Sequence, residues 1–131
     1  MLEQPAIKLV ILDRDGVINE DSDDYIKTVD EWVPVSGSIE ALARLSKAGF
    51  LIAVATNQSG IGRGFLTEIT LANIHNLMNA MVEEHGGHIA VVCYCPHLPG
   101  DNCTCRKPLP GLLEQIESSI SASVVGAWYV G

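Results

Sequence analysis

Leu9-Val10-Ile11-Leu12-Asp13-Arg14-Asp15-Gly16-Val17-Ile18-Asn19 decides the fold class. Four branched apolar residues in a row suit a strand buried on both faces, as at the centre of a parallel sheet. Two aspartates, one residue apart, and a glycine follow at its C-terminal end. Open α/β sheets bind ligands just outside the carboxyl ends of their strands, so Asp13 and Asp15 fall where chemistry is done. Strand alternation lets the two carboxylates face one side. Like charges that close call for a metal, a cationic substrate or a shared proton. An ordinary polar turn at a strand end reads the same way, and the rest of the chain has to choose.

Outward from this stretch, the first strand is expected over Ala6–Leu12. Between Gly16 and Val35 no helical period is sustained, and Glu20, Asp21, Asp23 and Asp24 form an acidic cluster followed by Tyr25, Trp32 and Pro34. This reads as a surface excursion over the strand end, a short hairpin, a solvated loop or a substrate lid. Ser36 or Ser38 can cap a helix carrying Ile39, Leu42 and Leu45, closed by Gly49. A second strand, Phe50–Ala55, runs into the glycine-rich loop Thr56-Asn57-Gln58-Ser59-Gly60-Ile61-Gly62-Arg63-Gly64. Thr67 opens a helix with Ile74, Leu77, Met78, Met81 and Val82 on one face, ending near Gly86-Gly87. His88–Cys95 is the third strand, and Pro110 suits the first turn of a helix carrying Leu112, Leu113, Ile116 and Ile120. Ser123–Val130 is the fourth strand. This alternation predicts an α/β fold with a parallel sheet and right-handed crossovers.

The 131 residues are enough for one domain with a real core, and a 47% hydrophobic composition fits a globular chain. Net charge is −8 with only 8 Lys and Arg, which leaves no basic stripe for a nucleic acid or an anionic membrane. No apolar leader and no run of membrane length is present, so the expected location is cytoplasmic. All four cysteines lie between Cys93 and Cys105, and in a reducing compartment such clustering favours metal over disulfides.

Each of the first three strands leads into a polar loop. Thr56 and the N–H groups after it can cradle an oxyanion, although GIGRG matches no standard nucleotide loop and alone is only a flexible connection. Cys95-Pro96-His97 and Cys103-Thr104-Cys105 pair soft thiolates with an imidazole across a short turn. Cys95, His97, Cys103 and Cys105 make a closed four-ligand set for a structural Zn²⁺. Cys93 is left over, a small buried side chain in the strand. Arg106-Lys107-Pro108 follows at once, and cations anchored there opposite Asp13 and Asp15 suggest a phosphate held between Lys107, Thr56 and a cation on the carboxylates.

Together LDRDGVIN, TNQSGIGRG, CPH…CTC and RKP resemble the haloacid-dehalogenase superfamily of aspartate-nucleophile phosphatases, in its zinc-loop branch, from about Ala6 to the last residue. The resemblance implies a Rossmann-like parallel sheet with helices on both faces, a zinc-binding loop and no large cap domain. It implies that Asp13 is the nucleophile and that Asp15 is the general acid and then the general base. Mg²⁺ would be held by Asp13 and the main-chain carbonyl of Asp15, while Thr56 and Lys107 hold the phosphoryl group. Asn57, Gln58, Ser59 and Arg63 would contact substrate, Arg106 its distal part, and Asp21 to Tyr25 would close over it. The implied substrate is a small phosphorylated sugar. The preferred reaction is removal of the 7-phosphate of a heptose 1,7-bisphosphate, in precursor synthesis for lipopolysaccharide. Histidinol-phosphate hydrolysis is the alternative, and a non-catalytic zinc-stabilised binding module is the rival from another class.

Two departures from the branch's pattern stand out. The acidic segment Glu20 to Asp24 is one residue longer than its usual form. The branch also continues past the fourth strand with an acidic loop that supplies a further magnesium carboxylate, then at least one more strand and helix, whereas this sequence ends at Gly131. The expectation is a single phosphatase domain over 1–131, shortened at its C-terminus, monomeric when complete.

Overall fold

The structure, a computed structural model, describes residues 7–131, so the first residue of the expected opening strand, Ala6, lies outside the described residues. Four strands form one parallel sheet in the order β3-β2-β1-β4: β1 Leu9–Leu12, β2 Leu51–Asn57, β3 Val91–Cys95 and β4 Trp128–Val130. β1 therefore sits inside the sheet, and its alternation feeds two cores. Val10 and Leu12, with Ile52 and Val54 of β2, pack under helices α1 (Ser38–Lys47) and α3 (Glu68–Glu84). Leu9 and Ile11, with Ala53 and Ala55, pack under α4 (Gly111–Ile120) through Leu112 and Ile116. Helices cover both faces, and that is why β1 and β2 carry near-continuous apolar runs.

Segment 16–35 is anchored to the domain even though its acidic residues Glu20, Asp21, Asp23 and Asp24 are exposed. Glu20 N–H donates to Val33 O (2.7 Å) and Val35 N–H to Ile18 O (2.9 Å), a short antiparallel clasp closed by the Asn19–Pro34 bridge. Ile18, Ile26 and Trp32 are buried in the α1/α3 core, and Val29–Glu31 forms a 3₁₀ turn. Apolar burial at three points fastens the excursion over the end of β1.

Several boundaries differ from the sequence reading. The ladder of β2 continues through Thr56 and Asn57, which pair with Tyr94 and Cys95 despite their polar side chains. Ser59–Gly62 then winds into one helical turn, α2. Neither Ser36 nor Ser38 caps α1: Gly37, at φ +82°, is the N-cap, and Ser38 Oγ donates to Ile18 O instead (2.7 Å). Pro110 is the N-cap of α4 and not its first residue. Thr67 does cap α3, accepting from Thr70 N–H (3.1 Å). His88–Ala90 precedes β3 as an irregular lead-in. Val124 and Val125 lie in a turn, because Gly126 takes φ +83° and Ala127 N–H donates to Val124 O (3.0 Å). Only Trp128–Val130 joins the sheet, as an exposed edge.

Candidate active site

β1 delivers Asp13 and Asp15 to the C-terminal edge of the sheet, where they meet the ends of β2 and β3. Asp13 N–H donates to Val130 O (2.9 Å), so pairing with β4 fixes the backbone at the first carboxylate. Its Oδ1 accepts from Arg14 N–H (2.8 Å) and lies 3.2 Å from Lys107 Nζ. The ammonium also donates to Ala55 O (2.8 Å) and to the Tyr129 hydroxyl (3.0 Å), so three partners orient it. Asn57 grips the Lys107 backbone from both sides: its Oδ1 accepts the Lys107 N–H (3.0 Å) and its Nδ2 donates to the Lys107 carbonyl (3.4 Å).

Asp15 is held differently. Its Oδ1 accepts from Arg14 Nε (3.0 Å), Arg14 Nη2 (2.7 Å) and Asn19 Nδ2 (3.0 Å). Its Oδ2 accepts from Gln58 Nε2 (3.0 Å), and the same amide donates to Thr56 Oγ1 (2.9 Å). Gln58 is held in turn, its own N–H donating to Cys95 O (2.7 Å). A carboxyl group ringed by four donors, two of them from one guanidinium, has a fixed orientation.

Asp13, Asp15, Asp21, Ser22, Tyr25, Ile26, Asn57, Gln58, Ser59 and Lys107 line one cleft of about 230 Å³. Most of the residues expected from sequence meet there. Thr56 does not line it: its side chain is buried behind Gln58 and faces that amide. Arg63 stands 5.9 Å above the ring of Tyr25, which also packs on Phe65 (centroids 5.4 Å apart). Arg63 thus braces a wall of the cleft from outside. Tyr25 sits at φ +65°, a left-handed conformation that costs a non-glycine residue about 1–2 kcal/mol. Gly60 lies beneath the same wall: a Cβ there would stand 2.8 Å from Leu66 Cδ2 and at ordinary contact distance, 3.5 Å, from Tyr25 Cδ1. Arg106 opens onto an adjoining hollow of about 270 Å³ that shares Lys107 and is also lined by Pro99, Asn102, Cys103, Pro108 and Leu109. Its Nη1 is buried and has no hydrogen-bond partner among the described residues.

Arg14, Asn19, His75 and Tyr129 belong to the site and were missed from sequence. Arg14 and Asn19 stood inside the quoted motif, but nothing in it marks their burial. Nothing local marks His75 or Tyr129, which arrive from α3 and β4.

The third loop gathers Cys95 Sγ, His97 Nδ1, Cys103 Sγ and Cys105 Sγ within 4.8 Å of one another. A tetrahedral zinc with bonds of about 2.3 Å would separate its sulfurs by about 3.8 Å. Cys95 Sγ lies 3.7 Å from Cys103 Sγ but 2.7 Å from Cys105 Sγ, so the second pair would have to open by about 1 Å around an ion. His97 Nδ1 is 3.5 Å from Cys95 Sγ and 3.2 Å from Cys105 Sγ. Burial and the neighbouring thiols push the Cys105 thiol up to about 12. The donor set fits one soft divalent ion. Cys93 stays outside it, buried in the α4 core with its thiol pushed up by burial. At the cleft, the Asp13 carboxylate keeps Oδ2 clear of hydrogen bonds from the described residues, a hard oxygen suited to Mg²⁺. Among the described residues no helix is long and apolar enough to cross a membrane.

The family model for polynucleotide kinase 3 phosphatase matches residues 8–131. The D-glycero-beta-D-manno-heptose-1,7-bisphosphate 7-phosphatase of Pseudomonas aeruginosa is 56% identical over 94% of this chain and 69% of its own length. Its counterpart from Pseudomonas putida is 54% identical over 95% of this chain and 71% of its own length. A crystal structure of the D,D-heptose 1,7-bisphosphate phosphatase of B. bronchiseptica, complexed with magnesium and phosphate, superposes with a TM-score of 0.90 at 45% identity. That likeness covers 95% of this chain and 70% of the other.

Proposed function

As the chain belongs to the haloacid-dehalogenase phosphatases, in the group that the polynucleotide kinase 3 phosphatase model describes, we propose that it is a heptose bisphosphate phosphatase removing the 7-phosphate of D-glycero-β-D-manno-heptose 1,7-bisphosphate. The observation that carries the substrate is the 56% identity, over 94% of the chain, to a relative named for that reaction. The names of the two Pseudomonas relatives also support the β anomer.

The chemistry runs on the chain's own carboxylates. The Asp13 carboxylate attacks the phosphorus of the 7-phosphate, and the bond from phosphorus to the sugar oxygen breaks. Asp15 gives its proton to the leaving alkoxide. It then takes a proton from the water that attacks the aspartyl phosphate, which releases inorganic phosphate and restores Asp13. Lys107, beside Asp13 Oδ1, steadies the negative charge of the transferring group. A magnesium ion held by the Asp13 carboxylate and the Asp15 main-chain carbonyl would neutralise phosphoryl charge when bound. Arg106 grips the second phosphate, a role supported by its place in the lining of the hollow next to Lys107. Asp21 and Tyr25 wall the sugar, and Ser59 offers a hydroxyl across from them. Thr56 acts through Gln58 and its own backbone, and Zn²⁺ on Cys95, His97, Cys103 and Cys105 is structural.

The test is kcat/KM on the β and α anomers of the bisphosphate and on histidinol phosphate, in the presence of Mg²⁺. The β bisphosphate is expected to lead, and Asp13→Asn to lower kcat by at least about a thousandfold while the protein stays folded. A preference for histidinol phosphate, or wild-type turnover in Asp13→Asn, would overturn the reading.

A further inference from the structure

Behind the cleft, on the α1/α3 side of the sheet, a buried polar chain connects α3 to the second carboxylate. Arg14 is 0% exposed, which obliges its guanidinium to find acceptors for its N–H groups. Nε and Nη2 both donate to Asp15 Oδ1, and Nη1 donates to His75 Nε2 (3.2 Å). His75 comes from the inner face of α3, between Leu71, Ile74 and Met78. It is not among the residues lining the catalytic cleft, and its ring centroid lies 6.3 Å from that of Tyr94.

We infer that His75 is a positioning residue for the acid–base step, holding Asp15 in its working orientation through the buried guanidinium of Arg14. The inference rests on the phosphatase reading for its kinetic consequence, but the contact itself does not.

The chemistry of the groups fixes the details. A guanidinium has no acceptor, so His75 Nε2 must present its lone pair and the ring proton must sit on Nδ1. Burial, and then the charge of Arg14, lower the His75 pKa to about 4, which keeps the imidazole neutral near pH 7. At the far end, three donors from Arg14 and Asn19 fill Asp15 Oδ1. The transferable proton is therefore carried on Oδ2, the oxygen on the Gln58 side. If Arg14 loses its acceptor on α3, one buried N–H is orphaned and the guanidinium turns to find another. The carboxylate then turns with it, and Oδ2 leaves the line to the leaving oxygen.

Two variants of His75 separate this role from simple packing. His75→Leu fills the space without an acceptor, and kcat on the β bisphosphate is expected to fall about ten- to a hundredfold with KM changed less than about threefold. His75→Gln supplies a carbonyl acceptor for Arg14 and is expected to recover most of that loss. Wild-type kcat in His75→Leu, or no recovery in His75→Gln, would overturn the inference. Nitrogen-15 NMR of the histidine-labelled wild-type protein is the second measurement, and it needs neither variant to fold. The expected signal is a neutral His75 ring with its proton on Nδ1, and a ring protonated at Nε2 would refute the contact. A wild-type protein inert on the bisphosphate would sink the functional reading, while the NMR result would still decide the His75–Arg14 contact.

Discussion

Lys107 and Arg106 are neighbours in sequence, yet they meet different parts of the site. The ammonium of Lys107 lies 3.2 Å from Asp13 Oδ1, whereas Arg106 faces the adjoining hollow. Lys107→Ala is expected to lower kcat on every phosphate ester by about a hundredfold or more, because charge in flight loses its counterion. Arg106→Ala is expected to narrow the preference for bisphosphate over monophosphate by about tenfold or more, read as a ratio of kcat/KM values. An equal loss on both esters from Arg106→Ala would assign it to the transferring phosphate instead. His75 adds a dependence of stability on pH. Its folded pKa, about 4, lies below the ordinary 6.5, so between these values the unfolded chain binds a proton that the folded protein does not. Stability contributed by the neutral ring is full above pH 6.5 and is lost as pH falls towards 4, by on the order of 2 kcal/mol down to pH 5. Urea unfolding of wild type and His75→Gln at pH 7 and pH 5 should show the gap between the two shifting against wild type by that amount. The carboxylates, Lys107 and the zinc donors were legible in the sequence because their chemistry is written in local spacing. Arg14, though inside the quoted motif, read as an ordinary polar residue of a strand end. A cation buried by tertiary partners from α3 leaves no trace in its neighbours along the chain.

Among the elements, α2 leans closely on the loop after β3. Gly62 N–H donates to Pro96 O (3.0 Å), and a Cβ on Gly62 would stand 2.7 Å from that same oxygen. Gly62→Ala must push α2 off the loop, at about 1–3 kcal/mol. A lowered melting temperature together with reduced kcat is expected, since α2 starts one residue after Gln58; unchanged melting would show that the loop yields freely. β1, β2 and α3 could be read directly, from unbroken apolar runs in the strands and from a cap at Thr67 followed by a helical stripe. β4 was read too long because Val124 and Val125 look like strand residues. The left-handed Gly126 turns them out of the sheet, leaving Val125 90% exposed. β2 was read too short for the opposite reason: the backbone ladder ignores the polarity of Thr56 and Asn57. Segment 16–35 carries its three core residues, Ile18, Ile26 and Trp32, at no regular period, so only the folded structure reveals that it is fastened down.

At the scale of the molecule, the loop that carries the Cys/His cluster supports the cleft through backbone bonds. Cys95 O and Pro96 O receive the N–H groups of Gln58 and Gly62. The purified protein is expected to carry about one zinc per chain. A strong chelator should lower its melting temperature by more than about 10 °C, as a structural zinc contributes several kcal/mol and each is worth about 4 °C at this size. Turnover should fall with the metal and return when zinc is added back; a folded, active, zinc-free protein would contradict the assignment. The strand order carries a further consequence, for how the molecule comes to exist. β1 is made first, but one of its two neighbours is β4, and Asp13 N–H waits for Val130 O. A chain leaving the ribosome therefore holds β1 half-paired until residues 128–130 have been made. Closing that distance is a long-range step, slow by the rule that remote contacts fold late. Lys107 and Tyr129, joined at 3.0 Å, arrive with the same late part of the chain. Phosphatase activity is therefore expected only once β4 has docked, and a refolding experiment should recover helical signal well before it.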